Sequence, residues 1–81
     1  MINETRKNAP RHRVLKVGSI TFGGGTIHCV VRNLSATGAA LEVTSHIGIP
    51  DEFMLVVTAD GSYHRCAVVW RKERRIGVAF Y

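Results

Sequence analysis

Asn33, Ser35 and Gly38 stand close together in the run Asn33-Leu34-Ser35-Ala36-Thr37-Gly38, where one β-rich stretch gives way to another. Asn and Ser side chains hydrogen-bond nearby backbone groups and so shape a turn. A glycine there permits a positive φ or a close approach of the backbone to a ligand. Upstream, Arg6, Lys7, Arg11, Arg13 and Lys16 form a basic cluster. Guanidinium forks donate two parallel hydrogen bonds to a phosphate or to the O6/N7 edge of guanine, and lysine adds a point charge. Together the turn and the cations describe an anion site. Without the cations the turn would be ordinary punctuation, because Asn, Ser and Gly populate turns in every β-protein.

A second cluster, Arg71, Lys72, Arg74 and Arg75, follows the single tryptophan, Trp70. Lys and Arg number 11 against 6 Asp and Glu, a formal net charge of +5. A field of this sign draws phosphate-bearing or polyanionic partners and speeds their encounter. For Arg71 and Arg75 a place near a ligand and a solvated turn are equally open. The wide indole of Trp70 is expected in the core, with a ligand-facing position as the alternative.

Other chemistries find little support. Cys29 and Cys66 are the only cysteines, without a CxxC, each inside an apolar run, and are expected as buried free thiols. His12, His28, His46 and His64 lack the spacing of zinc ligands, so neither a metal nor a cofactor is expected. The acids Glu4, Glu42, Asp51, Glu52, Asp60 and Glu73 are scattered, and Ser35 has no histidine near it in the chain to serve as its base. An enzyme is not expected. The first seven residues lack the apolar stretch of a secretory signal, and no apolar run approaches the roughly 20 residues of a membrane span. A cytoplasmic protein without membrane insertion is the expectation. Binding of single-stranded nucleic acid would call for several exposed aromatics for stacking, which this composition does not promise.

The elements that must position these residues are strands. Eighty-one residues support one core. Residues 1–12 are polar, charged and broken by Pro10, and are expected as a flexible basic arm; residues 13–81 form the domain. Val14 to Phe22 is strand-like, with Gly18 as a bulge, and Gly23-Gly24-Gly25 turns the chain. Thr26 to Arg32 alternates, placing Ile27, Cys29 and Val31 on one face and His28, Val30 and Arg32 on the other. Ala39 to Val43, Phe53 to Thr58, Tyr63 to Arg71 and Ile76 to Phe80 complete the set, with Asp60-Gly61 marking a tight hairpin. No helical period is sustained. The chain therefore reads as all-β, a small antiparallel barrel of six strands, which removes exposed edges.

The run Asn33 to Gly38, with Arg11 upstream, resembles the PilZ family, whose paired signature is RxxxR followed by [D/N]xSxxG. The second element matches throughout. In the first, Lys7-Asn8-Ala9-Pro10-Arg11 carries lysine where the family has its first arginine, and Arg6 lies one position out of register. Val68-Val69-Trp70-Arg71 followed by Ile76-Gly77-Val78-Ala79-Phe80 is similar to the family's closing hairpin, so the resemblance spans nearly the whole chain. It implies a PilZ-type barrel and a receptor for the bacterial second messenger cyclic di-GMP, held by Arg6, Lys7, Arg11, Asn33, Ser35 and Gly38, with Arg13, Trp70 and Arg71 as further candidates. Many members carry a helix after the last strand; here the sequence ends at Tyr81, and self-association is one way to cover that barrel end. The output would pass to a separate effector protein. The lysine at position 7 leaves a second expectation, an adaptor that binds a protein partner without nucleotide.

Overall fold

The computed structural model describes residues 12–81, with side chains from Val14 onward. Six strands, β1 (His12–Phe22), β2 (Gly25–Leu34), β3 (Gly38–Glu42), β4 (Glu52–Val57), β5 (Ser62–Lys72) and β6 (Arg75–Phe80), close into an antiparallel barrel in the order β1-β2-β3-β6-β5-β4. Closure comes from β1 pairing with β4, Gly18 opposite Val57 through Thr21 opposite Met54. Without that seam both strands would present unpaired backbone groups along an edge. The turns fall where the sequence signals them. Gly61 takes φ 68° in the β4–β5 turn, a conformation glycine adopts without steric cost. The two-residue β5–β6 turn, Glu73-Arg74, holds Glu73 at φ 53° with no glycine to ease it.

Every strand contributes to the core. Ile20 of β1, Val31 of β2, Leu41 of β3, Leu55 and Val57 of β4, Cys66 of β5 and Ile76 of β6 are fully buried. Burying such an aliphatic side chain stabilises by roughly 1.5–3 kcal/mol relative to leaving it exposed. Cys29 joins this cluster, and both cysteines are free and buried, as the apolar runs around them predict. Burial pushes the Cys29 thiol up to about 11. The Cys66 thiol goes up to about 12, mainly through burial, opposed by a backbone hydrogen bond at Leu55 and reinforced by the charge of Cys29.

Two expectations are corrected here. Gly18 is not a bulge: it sits in register opposite both Cys29 and Val57, and the irregularity of β1 lies between Arg13 and Lys16. Trp70 is not core. It lies on the outer face, 46% exposed, because the barrel interior is already filled by aliphatic residues and a bulge between Val68 and Trp70 sets its register opposite Gly77. A Cβ on Gly77 would overlap the indole of Trp70. The ring thus covers backbone that glycine leaves bare, an arrangement that stabilises strands carrying a glycine.

Candidate functional site

The Asn33–Gly38 turn is wired largely by Ser35. Its N–H donates to the Gly38 carbonyl at 2.9 Å, its Oγ donates to the same carbonyl at 3.3 Å, and the Thr37 N–H donates to that Oγ at 3.2 Å. This is the hydroxyl-shaped turn that Ser and Thr form with backbone two or three residues away. Gly38 has a different task from the one its place in the motif suggests. It lies at the start of β3 and its φ is not positive. A Cβ there would overlap the Val78 carbonyl oxygen of β6. The close approach that requires glycine is between two strands of the barrel.

From the turn the register carries a row of residues across the outer face. Asn33 pairs with Ala40, Ala40 with Gly77 and Gly77 with Trp70. The row above it runs Gly38, Ala79, Ala67. Between Asn33 and Trp70, therefore, the sheet carries only Ala40 and Gly77, a floor about two strands wide that the indole covers at Gly77. Asn33 itself is engaged in an interaction within the protein. Two clefts border this floor. One, of about 320 Å³, is lined by Thr37, Ala39, Val69, Trp70, Gly77, Val78 and Ala79. The other, of about 600 Å³, has Val14, Leu15, Arg32 and Arg75 among its lining.

Arg32 lies on the outer face by the alternation of β2, and the register shift between Val31 and Asn33, which leaves Arg32 as the extra residue of a bulge, brings Asn33 to the same face. Its Nη1 donates to Glu42 Oε1 at 3.0 Å, and Arg75 Nε lies 3.8 Å from the same oxygen. One carboxylate thus sits between two guanidinium groups. Sequence alternation places Arg32 outward but gives no sign that a bulge turns Asn33 to the same face, and the Ala40–Gly77 floor carries no motif.

The remaining candidates separate. Arg71 is committed elsewhere: Nη1 donates to the His46 carbonyl at 3.0 Å and Nη2 to Asp51 Oδ1 at 2.8 Å, tying the β3–β4 loop to β5. Trp70 is brought into the row of Asn33; Arg71 is not. Arg6, Lys7 and Arg11, with the rest of the expected arm up to residue 11, lie outside the described residues. Their attachment point is described: His12 pairs with Leu34 and Arg13 with Asn33, so the chain leaves the basic segment directly against the turn. Among the described residues no group of His, Cys, Asp and Glu could hold a metal ion, and no helix is long and apolar enough to cross a membrane.

The PilZ domain family model matches residues 5–81. The chain belongs to the PilZ family. PilZ domains are non-catalytic receptor domains, and the family is one of cyclic di-GMP receptors. No curated protein and no solved structure matches the chain. The closed six-stranded barrel is the architecture that the resemblance in the sequence implies, and the match begins within the basic segment, ahead of the described strands.

Proposed function

We propose that this PilZ domain is a cyclic di-GMP receptor in which the nucleotide lies on the Ala40–Gly77 floor between Asn33 and Trp70. The basic segment carrying Arg6, Lys7 and Arg11 closes over it, and the domain then presents a changed surface, or a changed association state, to an effector protein. The observation that carries this reading is the pairing of His12 and Arg13 with Leu34 and Asn33, which starts the cationic segment beside the turn. Ala40 adds only a methyl group to this floor, and the half-exposed Trp70 indole that lies over Gly77 offers a stacking partner for a base. Ser35 holds the turn; Gly38 lets β3 approach β6. On this reading the protein acts in the cytoplasm, where the second messenger is met.

Calorimetric titration with cyclic di-GMP tests the reading, and Trp70, being the single tryptophan, gives an independent signal through its emission. Arg11→Ala is expected to abolish binding. Lys7→Arg is expected to strengthen it, because a bidentate fork replaces a point charge at the same net charge. If Lys7→Arg changes nothing while Arg6→Ala destroys binding, the site uses Arg6 in place of Lys7. A second reading, a PilZ adaptor that binds a protein without nucleotide, is favoured by the exposed apolar residues Leu15, Val17 and Val30 on the outer face of β1 and β2. Absence of binding by both calorimetry and fluorescence would select it.

A further inference from the structure

We infer that Arg32 is a ligand-binding residue of this site, held ready by Glu42, and that Glu42 is the internal anion which the phosphate of the ligand displaces. The inference rests on the reading of the domain as a cyclic di-GMP receptor. A ligand with two phosphates and two guanines needs fixed cationic forks in addition to any that come from the basic segment. Among the described residues, Arg32 and Arg75 both line the cleft of about 600 Å³, a volume within the roughly 300–1,000 Å³ of small-molecule sites. The β2 bulge puts Asn33 on the same outer face as Arg32, and Arg75 lies in β6 two residues before Gly77 of the floor. The cleft is therefore continuous in register with the floor.

The state of the two guanidinium groups supports a binding role over a purely structural one. Among the described residues Arg32 makes one hydrogen bond, through Nη1 to Glu42, and Arg75 approaches the same oxygen at 3.8 Å, beyond hydrogen-bonding distance. Each guanidinium carries five N–H donors, so most have no hydrogen-bond partner among the described residues. The pairs are between a third and a half exposed, and ion pairs at such exposure are weak and easily exchanged. Two cations sharing one carboxylate leave a net positive charge that a phosphate can neutralise. Glu42 meanwhile keeps Arg32 in an outward, oriented conformation, which lowers the ordering cost when the ligand arrives.

The test is titration of the parent, Arg32→Ala, Arg32→Lys and Glu42→Gln with cyclic di-GMP at one fixed salt concentration, beside thermal melts without ligand. Arg32→Ala is expected to lose about tenfold in affinity or more, the effect of removing a charge-assisted hydrogen bond, with little change in melting temperature. Arg32→Lys should fall between it and the parent, since charge survives and the fork does not. Glu42→Gln should bind as tightly as the parent or tighter, because the competing anion is gone. Binding by Arg32→Ala within about twofold of a parent that binds would overturn the inference and leave the receptor reading intact. Loss of affinity in Glu42→Gln as large as in Arg32→Ala would overturn the role given to Glu42. A parent that does not bind would overturn both the inference and the reading beneath it.

Discussion

Within the motif, three residues of one short run do three separate physical jobs. Ser35 is consumed by the turn, through its own N–H and Oγ to Gly38. Asn33 stands in the outer row facing the Ala–Gly floor. Gly38 is required by the Val78 carbonyl of the neighbouring strand. Substitutions should therefore separate stability from binding. Gly38→Val is expected to lower the melting temperature of the unliganded protein sharply, by an amount corresponding to roughly 2–4 kcal/mol, because the barrel must part where β3 meets β6. Asn33→Ala is expected to cost ~1 kcal/mol in cyclic di-GMP affinity through lost hydrogen bonding. A Gly38→Val variant that melts with the parent would show that β3 and β6 accommodate a side chain there.

At the scale of the strand pair, the β5–β6 hairpin shows what local chemistry the fold overrides. A two-residue turn calls for residues that tolerate positive φ, usually Asn and Gly. Here Glu73 takes that conformation at φ 53°, costing roughly 1–2 kcal/mol for a residue with a Cβ. Glu73→Gly should relieve part of this and raise the melting temperature by a few degrees, measured by thermal unfolding; a drop would mean that the freedom gained by the unfolded chain outweighs the relief. The strands themselves are legible in the sequence because their periodicity is strong: Ile27, Cys29 and Val31 face inward or toward the core as the alternation requires. Bulges are not legible. A one-residue register shift leaves no trace in composition, yet three of them decide the site: they set the start of β1 against β2, bring Asn33 onto the face of Arg32, and put Trp70 outside over Gly77. The position of the tryptophan is hidden for the same reason, since size argues for burial and only the register reveals that the interior is full. The turn motif, by contrast, can be read directly, because its hydrogen bonds are local.

Over the whole molecule, closure seals the interior, and the two thiols record how dry it is. Cys29 and Cys66 lie within the closed core, and burial raises them from an ordinary value of 9.0 to about 11 and about 12. A thiol whose folded value lies above its unfolded one favours the folded state fully while both states stay protonated. That contribution is intact below about pH 9 and is lost as pH rises through the window up to about 11–12, where the unfolded chain ionises first. The protein should therefore lose stability across that window, because the unfolded thiols release their protons before the folded ones do. Lysine and tyrosine ionise in the same range, so the slope alone does not identify the thiols. Urea unfolding midpoints at pH 8, 9.5 and 10.5 for the parent, Cys29→Val and Cys66→Val isolate them: each variant should show a shallower decline than the parent. Equal slopes in all three proteins would mean that water reaches both sulfurs, and that the β1–β4 seam opens often enough to hydrate the core.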